Sequence, residues 1–181
     1  MFGEIAPLAA FFTVNQFYGL YMAAFSAVLV STLLIIYIWA VERRLARFVI
    51  FATIVSSVLT VAAFMAEEKI YIKIQPSLFN FCFSAVLLGG LLTGRTMMRE
   101  FFKSQFDLPD WVWFQLSLRW GLFFALATIA NELAWRGLSD DDWVSFRVLV
   151  MAPATGVFML AQLPITMRGL REEAAAMRQA D

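Results

Sequence analysis

The chain has 181 residues, of which 61% are hydrophobic and 15% charged, and its mean hydropathy is +0.74. A soluble domain of this size has too little interior to bury so much apolar surface. The net charge is zero, which gives no support to nucleic-acid binding. The chain has no histidine and one cysteine, Cys82, which excludes Ser-His-Asp triads and an intramolecular disulfide. We expect no metal or cofactor site.

Uncharged stretches alternate with short charged segments along the whole chain. They cover residues 5–41, 48–66, 74–94, 120–131 and 148–167. A membrane-spanning helix needs about 20 mostly apolar residues. The fourth stretch reaches that length if its helix starts near Trp113 and tolerates Arg119. The sequence therefore predicts an all-α, polytopic membrane protein with a five-helix transmembrane bundle.

The predicted organisation is a single membrane domain over residues 1–181. Its transmembrane helices are expected at about 17–39, 45–65, 76–93, 113–135 and 147–167, with a short cytoplasmic interfacial helix at 95–106 and a cytoplasmic tail at 168–181. With five spans, ten lysines and arginines fall on one side and four on the other. Cytoplasmic loops carry the excess of positive charge. We therefore expect a periplasmic N-terminus and a cytoplasmic C-terminus.

The first uncharged stretch is too long for one crossing at about 1.5 Å per residue. Pro7 breaks it, and Asn15 and Gln16 interrupt it further on. We expect residues 5–12 to form a short interfacial or re-entrant piece before the first membrane helix.

The second helix carries a stripe of hydroxyl side chains. These follow the spacing i, i+3, i+4, i+7 and therefore share one face: Thr53, Ser56, Ser57 and Thr60. In lipid, such a stripe is expected to face other helices or water, where the hydroxyls find partners. Hydroxyls can also bond to their own helix backbone, so the stripe does not by itself indicate a pore.

The third helix begins at Pro76, which suits a first helical turn. Asn80 is a candidate intramembrane polar residue. Gly90 and Gly94 form a GxxxG pair, which serves either dimerisation or packing within one bundle; we favour packing within the bundle.

Residues 95–106 have an amphipathic helical pattern with a basic polar face. We expect this helix to lie in the cytoplasmic interface next to anionic lipid. An ordinary loop helix docked on the bundle would show the same pattern.

The fourth helix carries polar residues near both ends. Arg119 and Glu132 are about 20 Å apart along the helix and cannot pair with each other. The favoured interpretation is that each reaches the nearer membrane interface, with Trp120 anchoring the packing. The alternative is a polar site inside the bundle that includes Asn131, Asn80 or Gln162.

Three consecutive aspartates, residues 140–142, precede the fifth helix. Stabilisation of the positive helix N-terminus explains them more simply than a cation site, since no glycine-spaced loop surrounds them. Pro153 and Pro164 are expected to kink the helix. Gln162 lies on its expected inward face.

Several segments resemble the intracellular septation protein A family, whose members are also called YciB or inner membrane-spanning septation proteins. The stretch 70–77 is similar to the family's F-I-x-x-K-P-T segment, with Gln75 in the usual lysine position and Ser77 in the threonine position. Three more segments carry the resemblance: Pro7-Leu8 with Phe11-Phe12; residues 108–124, similar to L-P-x-x-V-W and L-N-L-x-W-x-L-F-F; and residues 139–147, similar to S-x-D-x-W-V-N-F-K, with Ser145 in the asparagine position. The resemblance implies a bacterial inner-membrane protein connected with division, elongation and envelope integrity. It brings no catalytic residues.

Three functions follow from these observations, and the sequence favours the first. The first is a non-enzymatic role in septation and cell-envelope integrity through contacts with membrane lipids or with other division or envelope-synthesis proteins, with self-association also open. The second is a small oligomeric transporter or channel, suggested by the hydroxyl stripe and the intramembrane amides. The third is an intramembrane enzyme, which would need Glu132 or an aspartate as its base and has no nucleophile paired with one.

Overall fold

A computed structural model of the chain describes residues 2–42, 47–102 and 108–180, and these residues contain helices and no strand. The helices are α1 (Phe2–Glu42), α2 (Arg47–Ala66), α3 (Ile70–Lys73), α4 (Gln75–Leu92), α5 (Met97–Phe102), α6 (Asp110–Gly137), α7 (Asp140–Phe146), α8 (Ala152–Ala161) and α9 (Leu163–Ala180), and a π-helical turn (Arg147–Met151) joins α7 to α8.

Within the described residues, four helical stretches are long and apolar enough to cross a membrane. They are Ala6–Val41, Ile70–Leu92, Asp110–Gly137 and Asp140–Ala175. A shorter apolar helix, Thr53–Ala66, lies within α2. The predicted helical membrane fold is confirmed. Of the predicted interfacial helix at 95–106, the structure describes α5, and residues 103–106 lie outside the described residues.

The contacts within the structure divide the chain into two compact units. The first unit consists of residues 1–76 and 131–150, and the second consists of residues 77–130 and 151–181. Each has its own apolar core.

In the first unit, α1 breaks at Gly19, where φ is 76° and ψ is 178°. A positive φ is costly for any residue with a Cβ atom, so glycine suits this position. Pro7, Leu8 and Phe11 of the preceding segment line one cavity together with Ala24, Ala27, Val28 and Ser31 of the following segment. Residues 7–11, which precede Gly19, therefore lie beside residues 24–31, which follow it at a similar distance along the chain. Residues 2–18, hereafter the N-terminal arm, fold back along the rest of α1.

The core of the first unit is built from small and aromatic side chains. It contains Phe11 of the arm, Ala23 and Ala24 of α1, Ala63 of α2 and Trp143 of α7, together with Leu20, Ile72, Ala134 and Val144. Trp143 is fully buried and meets the ring of Phe11 edge to face at 6.3 Å between centroids. The alanines allow the helices to approach closely, as small residues do in membrane bundles.

The second unit has an aliphatic and tryptophan-rich core at the start of α6. Its buried members are Leu108, Val112, Trp113 and Leu116, against which Met98, Trp120 and Ile165 pack. Gly169 of α9 lies against this core, since a Cβ atom there would come within 2.8 Å of Val112 Cγ2. The Oγ of Ser117, which is fully buried, accepts a hydrogen bond from the backbone N–H of Met98 at 3.3 Å.

The last membrane helix is not continuous. After the π-helical turn, α8 ends at Ala161, and α9 begins at Leu163. Pro153 lies in the first turn of α8 and Pro164 in the first turn of α9. A proline lacks a backbone N–H, and a first helical turn is where that loss matters least. Each proline therefore lies where a new helical segment starts.

Candidate functional site

The first unit carries a cluster of charges where α7 begins. Asp140 lies in the first turn of α7 and forms ion pairs with Lys69 and Lys73. The hydrogen bond from Lys69 to this carboxylate raises the pKa of the Lys69 ammonium above its usual value. One carboxylate thus holds α3 and the preceding turn against the start of α7.

The neighbouring acidic residues also have partners. The side chain of Ser139 caps α7 and accepts a hydrogen bond from the Asp142 backbone N–H at 3.2 Å. Asp141 Oδ1 accepts a hydrogen bond from Asn15 Nδ2 at 2.8 Å, which attaches the N-terminal arm to α7. No group of three metal-ligating side chains occurs in the described ranges. Asp140 and Asp141 thus connect α7 to other helices through lysine and asparagine, and Asp142 takes part in the N-cap of α7.

Asn131 is the buried centre of a second polar contact. Its Nδ2 donates to the backbone carbonyl of Lys73 at 2.9 Å, and its Oδ1 accepts a hydrogen bond from Trp143 Nε1 at 3.1 Å. Only 4% of its surface is exposed. Buried polar atoms need such partners, so Asn131 fixes α3, α6 and α7 in one arrangement.

A cavity of about 210 Å³ lies within the first unit. Its apolar lining comes mainly from the N-terminal arm and α1. Its polar lining comes from six side chains: Ser31, Thr53, Ser56, Thr60, Gln75 and Arg147. Gln75 Nε2 donates a hydrogen bond to Ser56 Oγ. The cavity is partly open and combines one cation with several hydroxyls.

Arg147 is the charged residue of this cavity. Its guanidinium carbon lies 5.2 Å from the Phe11 ring centroid and 5.8 Å from that of Trp143. In the described part of the chain, no carboxylate lies within ion-pair distance of Arg147, and no acceptor takes a hydrogen bond from it. The aromatic faces provide a favourable cation–π environment but leave the N–H donors without acceptors.

The structure places the hydroxyl stripe of α2 as follows. Thr53, Ser56 and Thr60 line the cavity, and Thr60 is almost fully buried. Ser57 donates a hydrogen bond to the Thr53 carbonyl at 2.8 Å. The stripe thus contributes both to a cavity and to the helix's own backbone. Glu132, the acidic candidate in α6, accepts hydrogen bonds from Arg136 one turn later at 3.0 and 3.2 Å.

The remaining candidates belong to the second unit. Arg119 is exposed, and its Nη1 donates to Gln162 Oε1 at 3.4 Å. Trp120 lies among aromatic rings, with its centroid 5.0 Å from that of Phe158. Asn80 is half-buried. Arg119 and Gln162 thus share a contact within the second unit.

Gly90 and Gly94 end α4. Gly94 has a φ of +74°, and the backbone N–H of Arg95 bonds the Gly90 carbonyl at 2.8 Å. This is a Schellman turn, in which glycine supplies the left-handed residue. A Cβ atom on Gly90 would come within 2.4 Å of Met97 Cγ. Both glycines therefore shape the turn that leads into α5.

Several polar residues of the cavity are not among the candidates that the sequence indicates. They are Ser31, Gln75 and Arg147. The available signal was the resemblance itself. Of its segments, 70–77 and 139–147 supply Lys73 and Asp140 to the charged cluster and Gln75 and Arg147 to the cavity.

Four helical stretches that are long and apolar enough to cross a membrane, within the described residues, define a polytopic helical membrane protein. Residues 1–173 match the family model for "Intracellular septation protein A". The chain belongs to the intracellular septation protein A family.

Curated relatives support this assignment over most of their length. An "Inner membrane-spanning protein YciB" of Rhizobium meliloti (strain 1021) is 35% identical over 158 residues, which is 87% of this chain and 72% of the relative. The protein of the same name from Nitrobacter hamburgensis is 35% identical over 167 residues, covering 91% and 83%. The protein of the same name from Bradyrhizobium sp. (strain BTAi1 / ATCC BAA-1182) is 33% identical over 180 residues, which is 98% of this chain and 88% of the relative. No solved structure gives a significant match to the chain.

Proposed function

We propose that this protein is a non-enzymatic component of the bacterial inner membrane that supports septation and cell-envelope integrity through contacts with lipids or other membrane proteins. The family's name supports the link to septation, and the relatives' names support the inner membrane. The observation that carries a contact role is the polar cavity beside Arg147. A charged residue in a membrane-spanning segment costs free energy, so its presence there favours a functional contact.

The test is complementation in a bacterium from which the corresponding gene has been deleted. Septum placement and uptake of a normally excluded hydrophobic dye are measured, with protein abundance determined alongside. We expect the wild-type protein to restore both phenotypes and Arg147→Gln to restore neither at normal abundance. Arg136→Gln is the matched control, because Arg136 is paired with Glu132 outside the cavity. Full complementation by Arg147→Gln would contradict a role for this site in the proposed function.

The second candidate is a small oligomeric transporter or channel, and the hydroxyl-lined cavity is the observation that favours it. Its volume of about 210 Å³ is below the roughly 300–1,000 Å³ typical of small-molecule pockets. The cavity suits a small group better than a transported metabolite. Solute flux into liposomes that contain the purified protein, abolished by Ser56→Leu, would favour transport over the contact role.

The proposed orientation follows the charge distribution, with the C-terminus in the cytoplasm and the Gly19 end of α1 on the periplasmic side. The N-terminal arm then dips into the bilayer from the periplasmic end of α1 at Gly19. Cysteine labelling of intact cells tests this on a Cys82→Ser background, with single cysteines at Tyr18 and Ala175. We expect an impermeant reagent to label position 18 from outside and position 175 only after lysis. Labelling of position 175 in intact cells would contradict this orientation.

The partners proposed are membrane lipids and inner-membrane proteins of division or envelope synthesis, with self-association as a further form of contact. Photo-cross-linking in native membranes from a probe at Phe17 tests this, because Phe17 is 77% exposed next to the break at Gly19. Cross-links to division or wall-synthesis proteins would support the proposal. A pattern restricted to copies of this chain would favour the oligomeric alternative.

A further inference from the structure

We propose that the cavity in the first unit is a binding site for a phosphate group, with Arg147 as its principal ligand. The inference rests on the proposed function in one respect, the contact with lipid, and it names the chemistry of that contact. The two sources of such a group are the phosphodiester of an anionic lipid and free inorganic phosphate.

Charge is the first reason. Arg147 lines the cavity and has no carboxylate partner among the residues that the structure describes. Along α7, Asp140 is paired with Lys69 and Lys73, and Asp141 with Asn15. Arg147 is half-buried, and a guanidinium that is partly removed from water without a counterion is unfavourable. An anion that enters the cavity would neutralise this charge.

Hydrogen-bonding capacity is the second reason. A guanidinium presents a planar fork of N–H donors that matches two oxygens of a phosphate. The Oγ of Ser56 accepts a hydrogen bond from Gln75, so its own hydrogen is directed elsewhere. Thr53 and Thr60 also line the cavity, and neither side chain bonds to another described residue through its hydroxyl hydrogen. One cation and several hydroxyl donors meet the needs of an acceptor-only ligand.

Size and depth are the third reason. A volume of about 210 Å³ corresponds to roughly seven water molecules, which suits one phosphate group with part of its substituent. Arg147 follows Asp140 by seven residues, which places it about 10 Å along the helix from the charged cluster at the start of α7. Pro7, Leu8 and Val28 give the remaining lining an apolar character that suits a lipid rather than a fully hydrated ion.

The test uses the purified full chain in a neutral detergent. Melting temperature is measured against increasing inorganic phosphate, with chloride at equal ionic strength as the control. It is measured again against phosphatidylglycerol, with phosphatidylcholine as the control. A ligand that binds only the folded state raises the melting temperature by mass action, so dissociation constants follow from the titrations.

We expect phosphatidylglycerol to stabilise the wild-type protein and phosphatidylcholine to have no comparable effect. Arg147→Gln should weaken this binding on the order of 10- to 100-fold, the range for loss of hydrogen bonds to a charged group. Arg147→Lys keeps the charge but loses the fork, so we expect about a 3- to 10-fold loss. Arg136→Gln should leave the affinity unchanged. If both phosphatidylglycerol and inorganic phosphate bind through Arg147, the phosphate group alone is sufficient for binding. If inorganic phosphate binds and phosphatidylglycerol does not, the ligand is the free ion.

The proposal is overturned if neither ligand binds, or if Arg147→Gln binds as tightly as the wild type. Should Arg147→Gln fail to fold, the double variant Ser56→Ala with Thr60→Val decides: weaker binding supports the site, and unchanged affinity overturns it.

A last variant, Glu4→Gln, tests whether Arg147 pairs with a carboxylate of its own chain. Glu4 is chosen because its side chain lies outside the described part of the chain. If Arg147→Gln alters the melting temperature without ligand and adding Glu4→Gln cancels that change, Arg147 pairs with Glu4 and the proposal is wrong. Binding is measured on purified protein, so a failure here is distinct from a failure of complementation in cells.

Discussion

The two units solve the same packing problem with different chemistry. In the first unit, helices are joined through buried or half-buried polar groups, above all Asn131 and Asp140. In the second unit, aromatic rings pack between helices, and Phe123 stacks on Phe158 at 4.3 Å between centroids. Its polar contacts between helices, such as that of Ser84 Oγ with the Gly121 carbonyl, involve uncharged groups or exposed side chains. Among the described residues, the ion pair with the least exposed side chains, Lys73–Asp140, lies in the first unit.

The difference has a physical meaning. A polar group costs free energy in a membrane protein unless it has a partner or a function, whereas aromatic packing needs neither charge nor water. The second unit is therefore expected to respond to changes of side-chain volume, and the first to changes of charge and hydrogen bonding. Mutations in each unit can separate these responses.

The largest expected effect is that of Trp120→Ala in the second unit. The Trp120 ring lies 5.4 Å from Phe124 and 5.0 Å from Phe158, and its removal leaves a cavity between rings. We expect a loss of about 3 kcal/mol in the free energy of unfolding, measured by denaturant titration in mixed micelles. Trp111→Ala is the control, because Trp111 is 40% exposed; it should lose less than about 1 kcal/mol. Equal losses would show that aromatic packing does not distinguish this unit.

Asn131→Leu should have the next largest effect, now in the first unit. It leaves the Lys73 carbonyl and the Trp143 indole N–H without partners. We expect a loss of about 2–3 kcal/mol in the same assay, because each buried unsatisfied group costs about 1–3 kcal/mol. Asn80→Leu, at a half-buried amide of the second unit, should change stability by less than about 1 kcal/mol. A silent Asn131→Leu would remove the polar contrast between the units.

Gly121→Ala probes volume alone. A Cβ atom there would come within 2.6 Å of Leu88 Cδ2 and 2.7 Å of its Cγ, so Leu88 must shift. We expect a loss of about 1–2 kcal/mol through overpacking. Gly156, in α8 of the same unit, is the control, because a Cβ atom there would meet no atom within 4 Å. Gly156→Ala should stabilise the protein by up to about 1 kcal/mol through helix propensity. A stabilising Gly121→Ala would show that this helix contact is loose.

The smallest effect concerns the charged cluster. Lys69 has a pKa raised in the folded state by its hydrogen bond to Asp140. Its contribution to stability is therefore fully present below the unfolded pKa of about 10.4 and is lost as pH rises through the folded pKa. Because the side chain is 46% exposed, we expect less than about 1 kcal/mol, measured as the difference between wild type and Lys69→Met across that range. Lys69→Arg should keep the contribution at high pH, because a guanidinium stays charged there. A stability difference between wild type and Lys69→Met that grows as pH rises would contradict the expected pH dependence.

The sequence alone determined the membrane class and the family. Uncharged stretches of about 20 residues have one favourable solvent, the bilayer, so the fold class follows from composition and spacing. The segments 70–77, 108–124 and 139–147, together with Pro7-Leu8 and Phe11-Phe12, indicate the family. The hydroxyl stripe of α2 followed from helical periodicity, since Thr53, Ser56 and Thr60 share a face in any helix.

Only the tertiary structure decided what these residues meet. The break at Gly19 folds the N-terminal arm back and brings Phe11 onto Trp143 and Arg147. Arg147 and Thr60 are far apart in the sequence, and their shared cavity depends on how α2 and α7 pack. Periodicity assigns a side chain to a face of its own helix, whereas a site requires faces of different helices to meet. That meeting is set by non-local packing, for which the spacing of residues along the chain contains no signal.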